Sequence, residues 1–320
     1  MARAAAALRE CRAALGLPID PDADPNGTGL VGVERSEITT SAGRLEAKRT
    51  TANPAFAGLV AYLLREAGAR PGDAVAVGAS SSFPALIVAT LAAAEALRLE
   101  PLIISSLGAS QWGANIPGFS WLEMEECLRD RGLIEARPIA RAVGGEEDVG
   151  RDMDPAGRSL LAGRIRAGGV LFLEEADLER NVARRMALYR EAAGGRPIKA
   201  FVNIGGSWAN MGTDSGVLSV EPGLARRVPV PPPPSRGVIQ AMAAAGVPVI
   251  HLLNVRGLCD RYGLPWDPRP LPAPGASRAY RLPGAGPRRG VLLAAAYAAA
   301  MLGLVAALRP RLLDNPAPHE

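Results

Sequence analysis

The sequence predicts an α/β fold, in which helices cover both faces of a parallel, Rossmann-like, doubly wound sheet. Strand and helix signals alternate from residue 54 onward, and the strands are nearly continuous apolar runs, as expected for strands buried on both faces. Several strands end in loops rich in Gly, Ser, Asn and Trp. These loops are VGASSSFP (77–84), ISSLGASQWGANIP (104–117), VNIGGSWANMGTD (202–214) and HLLNVRG (251–257). Since the carboxyl ends of parallel strands share one edge, the loops predict a binding site there.

An N-terminal segment, residues 1–53, precedes this alternation. It begins with an Arg/Ala-rich stretch that predicts a short helix over 3–15, followed by the turn-rich segment PIDPDADPNGTGLVGVE. The alternating Asp and Asn residues of that segment are typical of a calcium loop, but the glycine and the closing glutamate of an EF-hand are misplaced. A solvated loop is therefore the favoured interpretation.

The predicted α/β domain covers residues 54–264, and apolar periodicity assigns its elements in order. A helix over 55–67 leads through a Pro-Gly turn into the first strand. The predicted strands are 74–77, 102–105, 137–142, 199–204 and 248–253, with a short apolar piece at 170–173. The later helices are 83–97, 121–131, 156–167, 175–193 and 235–245.

The C-terminal part of the sequence predicts a linker and a membrane anchor. Residues 265–287 are rich in proline and glycine and are typical of a linker. Residues 290–308 are 19 uncharged residues, close to the minimum that crosses roughly 30 Å of hydrocarbon. We therefore expect a transmembrane anchor over 288–311, contacting lipid through 290–308, and a short tail over 312–320; the alternative is a buried core helix. Arginines at both ends leave the orientation open.

Composition excludes several classes of site. The net charge of +4 comes from arginine, and no basic run is interleaved with aromatic residues, so nucleic acid is not an expected partner. No Walker A or dinucleotide motif occurs, and two histidines exclude a His-rich metal centre, so no cofactor or metal is expected. The three cysteines, Cys11, Cys127 and Cys259, argue against a disulfide scaffold without excluding an oxidising compartment.

Three consecutive serines, Ser80, Ser81 and Ser82, lie at a strand-to-helix turn. At that position they either cap the helix or bind a carboxylate or phosphate, because helix N-termini present unpaired N–H groups. Their spacing is also similar to the G-x-S-x-G nucleophile elbow, with Ser82 replacing the last glycine. Ser80 is thus a candidate nucleophile, although the anion-binding cap is the favoured alternative.

A serine nucleophile needs a base, and two residues are candidates. His251 ends the last strand, where the alternative is a hydrogen-bonded structural histidine. Lys48 is one of two lysines in a chain that otherwise uses arginine. A lysine kept in such a chain indicates a site that requires an amine able to deprotonate, unless it is present by chance.

Two of the strand-end loops share the order Gly, Ser, Trp and then Gly or Asn. Trp112 and Trp208 are candidate walls of a pocket, the alternative being loop tryptophans packed against helix ends. The candidate polar contacts in and beside these loops are Ser110, Asn115, Asn203, Ser207 and Asn210.

Several blocks in sequence order carry a family resemblance. They are DPNGTGLVGVE, EITTSAGRLEAKRTTANPAF, VGASSSFPAL, PLIISSLGASQWGAN, FSWLEMEECL, IKAFVNIGGSWANMG and HLLN. Through them the stretch from about 18 to 268 resembles the poly-gamma-glutamate system protein family. The resemblance implies a membrane-associated protein of the bacterial cell envelope, tied to synthesis, modification or export of a polyglutamate capsule or secreted polymer. Other components of that system are then expected partners.

The family has an apolar segment before its soluble part, which this sequence does not show. Either the start is shortened or the C-terminal segment is the only anchor. The expected location is the cell membrane, with an extracytoplasmic soluble domain as one of two orientations. A γ-linked polymer carries one free carboxylate per unit, which suits serine hydroxyls, helix N-termini and arginines at a sheet edge. Lys48 and Arg49 lie in a shared block and are candidates for pairing with such carboxylates.

These observations support three hypotheses, in this order. The first is a membrane-anchored, non-catalytic component that binds poly-gamma-glutamate at the carboxyl edge of the sheet. The second is a serine amidohydrolase or transferase acting on gamma-glutamyl bonds. The third is a soluble small-molecule binding domain whose C-terminal helix belongs to the core.

Overall fold

The structure is a computed structural model, and it describes residues 1–282 and 297–302. The chain divides into two units, Met1–Leu282 and Pro283–Glu320. In the second unit, residues 297–302 are helical, and the rest of the predicted anchor and tail lies outside the described residues. Across the described ranges, no helix combines the length and apolar character needed to cross a membrane.

The first unit is an α/β domain, as the sequence predicts. Its α-helices are α1 (Ala2–Ala14), α2 (Leu45–Thr51), α3 (Ala55–Glu66), α4 (Pro84–Ala96), α5 (Trp121–Asp130), α6 (Pro155–Ala167), α7 (Leu178–Ala192), α8 (Trp208–Met211), α9 (Val238–Ala244) and α10 (Val255–Tyr262). Its strands are β1 (Ala74–Ser80), β2 (Glu100–Ser106), β3 (Asn115–Ile116), β4 (Phe119–Ser120), β5 (Pro138–Ala142), β6 (Leu171–Phe172), β7 (Ile198–Ile204), β8 (Gly223–Leu224) and β9 (Val249–Leu252).

The main sheet has the order β6-β5-β2-β1-β7-β9-β8. All pairs are parallel except β8 with β9, and β3 and β4 form a separate antiparallel hairpin. The chain winds outward from β1 in one direction through β2 and β5, and then returns to place β7 on the other side of β1. The topological switch point, where α/β proteins bind ligands, therefore lies between the carboxyl ends of β1 and β7.

Every helix and strand predicted over residues 1–264 is present, with bounds within three residues of those expected. The elements not predicted are short: α2, α8, α10, the β3–β4 hairpin and the edge strand β8. None of these segments is longer than eight residues, which is too short for apolar periodicity to reveal them.

Side chains on the two faces of the sheet form two apolar clusters. Along β1, Val75 and Val77 pack with α3 and α4, whereas Ala74 and Ala76 pack with α7 and α9. This alternation follows from the two-residue repeat of a strand. Because helices pack on both faces of the sheet, the carboxyl ends of the strands, and the loops that begin there, are held in fixed positions.

A disulfide joins Cys11 of α1 to Cys127 of α5, across 116 residues, while Cys259 is free and buried. Cysteine spacing does not indicate this pairing, because the two residues meet only when α1 packs on α5. The sequence argues against a disulfide scaffold, and this single bridge is a covalent link that it did not predict.

Residues 265–282 pack against the α/β domain, whereas the sequence assigns them to a linker. The Asp267 carboxylate accepts two hydrogen bonds of 2.7 Å from the Arg49 guanidinium in α2. The Tyr280 hydroxyl donates to the backbone carbonyl of Pro54 over 3.1 Å. Proline content signals irregular backbone, but these contacts show an ordered strap on the surface of the domain.

Candidate functional site

A cavity of about 790 Å³ opens at the carboxyl edge of the main sheet. Its walls come from the loops after β1, β2, β7 and β9, from the segment that leads into α2, and from the loop over 145–152. The loops after β1 and β7 place it at the switch point. Its volume is typical of a small-molecule or peptide site.

Lys48 lies on the wall of this cavity and is buried, with 3% of its surface exposed. Its Nζ atom donates to the Ser110 Oγ atom over 2.8 Å and to the Ser82 carbonyl oxygen. It also lies 3.8 Å from the centroid of the Phe83 ring. In the part of the chain that is described, no carboxylate is within salt-bridge distance of it. Burial therefore lowers the pKa of Lys48 from 10.5 to about 7.

The segment before α2 brings Lys48 to this position. It pairs with the loop after β2, because the Thr40 N–H donates to the Ala109 carbonyl over 2.9 Å. At Gly43, a Cβ atom would lie 2.4 Å from the Gln111 carbonyl oxygen, so only glycine permits this approach. Lys48 then follows within the first two turns of the short helix α2.

The loops after β1 and β2 are connected through serine hydroxyls. The Ser110 N–H donates to the Ser82 Oγ atom over 2.9 Å, and the Ser82 N–H donates to the Ser80 Oγ atom over 3.3 Å. At Gly113, a Cβ atom would lie 2.9 Å from the Ser82 Cα atom, which shows how closely the loops approach. Lys48, Ser110, Ser82 and Ser80 thus belong to one hydrogen-bonded set on the cavity wall.

The structure brings part of the predicted site together and leaves the rest outside. The predicted residues that line the cavity are Lys48, Ser80, Ser82, Ser110, Ser207 and Trp208. The predicted residues absent from its lining are Arg49, Ser81, Trp112, Asn115, Asn203, Asn210 and His251.

Two of the outlying residues have structural contacts instead. Arg49 points its guanidinium at Asp267, which ties the strap that carries Trp266 to the helix that carries Lys48. Asn115 donates to the Val33 carbonyl over 2.8 Å and to the Thr39 Oγ1 atom over 2.9 Å. Both residues therefore hold backbone segments near the cavity.

His251 is buried in β9, where its Nδ1 atom lies 3.0 Å from the Asn203 Nδ2 atom. Burial lowers the pKa of His251 to about 4, so the ring is neutral near pH 7. No serine hydroxyl of the described ranges is within hydrogen-bond distance of its ring. The contact favours the structural alternative for this histidine.

Sequence reasoning missed several residues that line the cavity. Ser106 ends β2, Arg256 follows β9, and Arg44 precedes α2. Ser106 and Arg256 fall within the predicted strand-end loops 104–117 and 251–257, but were not chosen as candidate site residues there. Trp266 lines the cavity from the strap, where the Arg49–Asp267 pair and the Asp267 N–H donating to Thr50 Oγ1 over 2.9 Å hold the next residue.

A buried ion pair supports the loop over 145–152. The Arg185 Nη2 atom donates to the Asp148 Oδ2 atom over 2.6 Å, and the Asn181 Nδ2 atom donates to the same oxygen over 3.0 Å. The Ser106 Oγ atom donates to Asp148 Oδ1 over 3.2 Å. This cluster anchors the loop that carries two further cavity residues, Glu146 and Asp152.

The described ranges contain no group of three or more His, Cys, Asp or Glu placed to hold a metal ion. No protein-family model matches the chain. No curated protein matches it either.

Proposed function

We propose that this chain is a serine amidohydrolase or acyltransferase that acts on gamma-glutamyl bonds, with Ser110 as nucleophile and Lys48 as general base. One observation carries the proposal: a buried lysine with a pKa of about 7 donates over 2.8 Å to a serine hydroxyl inside a cavity. The combination of an activated amine and an adjacent hydroxyl is what nucleophilic catalysis by serine requires.

Ser110 is favoured over Ser80 because of its contact with the base. Lys48 has no hydrogen bond to the Ser80 hydroxyl among the described residues, whereas it bonds Ser110 directly. Ser80 accepts the Ser82 N–H instead, which supports a role in shaping the loop.

The chemistry follows from a neutral amine. At pH 7 a group with this pKa is about half neutral, so a large fraction of the protein is ready to accept a proton. Lys48 takes the hydroxyl proton as Ser110 Oγ attacks the carbonyl carbon of an amide. The C–N bond then breaks, and the Lys48 ammonium returns the proton to the departing amine nitrogen. Water or an acceptor amine attacks the acyl-enzyme, and Lys48 accepts and returns a proton once more.

The substrate class is argued from charge. Arg44 and Arg256 line the cavity with exposed guanidinium groups, which suit a substrate that carries free carboxylates. The sequence resemblance to the poly-gamma-glutamate system family points the same way. The proposal includes a membrane anchor formed by residues 290–308. The Cys11–Cys127 disulfide supports an oxidising, extracytoplasmic location for the domain.

A second candidate is a non-catalytic component that binds poly-gamma-glutamate and passes it to other components of the system. The same two arginines favour it, since they give the cavity positive groups without taking part in proton transfer. In that case the Lys48–Ser110 contact serves only to hold the cavity wall.

The test is incubation of the full chain with poly-gamma-glutamate, following polymer length and released amine. Hydrolysis or transfer that Ser110→Ala abolishes supports the enzyme. Ser159→Ala is the matched control, since Ser159 is exposed on α6 and does not line the cavity. Saturable binding with no change in polymer length, in both the parent and Ser110→Ala proteins, supports the binding component instead.

A further inference from the structure

The loop after β7 presents a buried hydroxyl without a protein partner. Ser207 lines the cavity with 8% of its surface exposed. Within the described ranges, its Oγ atom has no hydrogen-bond partner. A buried polar atom of this kind needs an explanation, because it has lost its hydrogen bonds to bulk water without gaining one from the protein.

The backbone beside Ser207 offers two more donors. No backbone hydrogen bond of the described residues uses the N–H of Gly206 or of Ser207. Gly205, with φ of 74°, turns the chain just before them, and Gly206 also lines the cavity. Two consecutive N–H groups and one O–H group therefore lie together on the wall. Successive backbone donors of this kind bind anions.

A cation lies just after the loop that follows β9, in the first turn of α10. β9 is the parallel neighbour of β7, and the loop after β9 contacts the loop after β7. A Cβ atom added at Gly206 would lie 3.6 Å from the Leu253 side chain. Three residues further, at the start of α10, Arg256 lines the cavity. Its guanidinium carbon lies 5.3 Å from the centroid of the Trp266 ring, and its Nε atom lies 3.4 Å from the Oδ1 atom of Asp260, one turn along the same helix. The loop after β7 and the first turn of α10 thus combine neutral donors with a guanidinium group whose carboxylate partner, Asp260, is exposed to solvent.

The acidic residues of the cavity lie on the far side. Glu146 and Asp152 belong to the loop that follows β5, and β2 and β1 separate β5 from β7 in the sheet. An anion at the Gly206–Ser207 loop is therefore remote from these carboxylates.

The Lys48–Ser110 pair lies between the acidic loop over 145–152 and the Gly206–Ser207 loop. Gly205 approaches Ser80, since an added Cβ atom would lie 2.9 Å from the Ser80 Cβ atom. Ser80 is linked through Ser82 to Ser110, so the loop after β7 lies beside the hydrogen-bonded set without belonging to it. A site on this loop is therefore adjacent to the Lys48–Ser110 pair.

We propose that Gly206, Ser207 and Arg256 form a carboxylate-binding subsite, which takes the free α-carboxylate of the glutamyl unit whose γ-carbonyl faces Ser110. The inference rests on the proposed function and deepens it. The subsite makes the enzyme selective for acyl units with a free carboxylate and against their neutral carboxamide counterparts.

Binding is measured by calorimetry in the Ser110→Ala protein, so that turnover does not contribute. The probes are γ-L-glutamyl anilide, which carries the α-carboxylate, and the same anilide with an α-carboxamide. The carboxylate probe is expected to bind about tenfold more tightly, since hydrogen bonds to a charged group are the stronger ones. Adding Ser207→Ala, or Arg256→Gln, is expected to reduce this preference about threefold to tenfold.

The control substitution is Ser105→Ala. The Ser105 hydroxyl is also buried and without a partner among the described residues, but Ser105 does not line the cavity. It is expected to leave the preference unchanged. Arg256 is exposed, so Arg256→Gln tests the subsite even if Ser207→Ala fails to fold.

Equal affinity for the two probes, or a preference that survives both Ser207→Ala and Arg256→Gln, overturns the subsite. This readout does not depend on catalysis. A protein that binds the carboxylate probe selectively but never turns over polymer retains the subsite and loses the proposed enzyme activity. A protein that cleaves both anilides equally well retains the proposed enzyme activity and loses the subsite.

Discussion

The Lys48 Nζ atom lies 2.8 Å from the Ser110 Oγ atom, although the two residues are 62 positions apart in the chain. Lys48 comes from the short helix α2 before the first strand, and Ser110 comes from the loop after β2. They meet because the segment before α2 runs alongside that loop, through the Thr40–Ala109 hydrogen bond. The contact is thus a product of the tertiary fold and carries a pKa that suits a base near neutral pH.

The pH profile of the reaction reports the base. Because burial lowers the pKa of Lys48 to about 7, kcat/KM is expected to rise as pH increases through 7 and then level off. A profile that rises only near pH 10 would assign the proton acceptor to an ordinary lysine. A profile governed by a group near pH 4 would point to His251 instead.

Substitution of Lys48 separates charge from proton transfer. Lys48→Arg keeps a cation but cannot deprotonate, so kcat is expected to fall about 10²- to 10⁴-fold. The comparison is Lys199→Arg, because Lys199 is the other lysine of the chain, is half-buried in β7 and does not line the cavity. Equal activity of Lys48→Arg and the parent protein would contradict the role of Lys48 as base.

Stability also depends on Lys48. Its folded-state pKa of about 7 is below its ordinary value of 10.5, so between these values the unfolded chain binds more protons than the folded one. The free energy of unfolding is therefore expected to gain a contribution that increases with pH from about 7 to 10.5. Lys48→Met lacks the titrating group. The difference in unfolding free energy between the parent and Lys48→Met proteins should therefore change between pH 7 and pH 10.5. A constant difference would contradict a lowered pKa for the buried Lys48 amine.

The Cys11–Cys127 disulfide closes a chain segment of 116 residues. Its removal by Cys11→Ser with Cys127→Ser is expected to lower the free energy of unfolding by about 2–5 kcal/mol, because the unfolded chain regains conformational freedom. Urea unfolding of the oxidised, the reduced and the double-variant proteins measures this. Reductant should destabilise the parent protein and leave the double variant unchanged, and equal stability of all three would contradict the disulfide.

The Arg49–Asp267 pair is expected to hold the strap in place. Arg49→Gln removes the two 2.7 Å donors of the Asp267 carboxylate but leaves its 3.2 Å contact with Arg269, so it should cost about 1.5–3 kcal/mol of stability. Hydrogen exchange of residues 265–270 should increase in this variant more than exchange in the strands. A double-variant cycle with Asp267→Asn measures the coupling, and additive effects of the two substitutions would show that the pair contributes nothing.

Parallel-strand logic was sufficient to place much of the site. Ser82, Ser110 and Ser207 come together because each follows a strand whose carboxyl end lies on one edge. The rule does not say which way a side chain faces, so it also selected Asn203 and His251, which are buried away from the cavity.

Other parts of the site depend on contacts that a sequence pattern does not contain. α2 has seven residues and no apolar repeat, so neither its helical form nor the position of Lys48 beside Ser110 follows from periodicity. The strap has the composition of a linker, and only tertiary contacts show that it packs on the domain. Local composition predicts irregular backbone in the strap, but it does not predict whether that backbone packs against the domain.

Covalent labelling tests the central claim most directly. The full chain is treated with an electrophilic serine probe, a fluorophosphonate, near pH 8, and the modified peptide is identified by mass spectrometry. The account predicts one modified residue, Ser110, with labelling that Lys48→Arg reduces strongly and Ser159→Ala leaves unchanged. Labelling at Ser80 or Ser82, or polymer cleavage that persists in Ser110→Ala, would contradict the assignment of Ser110 and Lys48 as the catalytic pair.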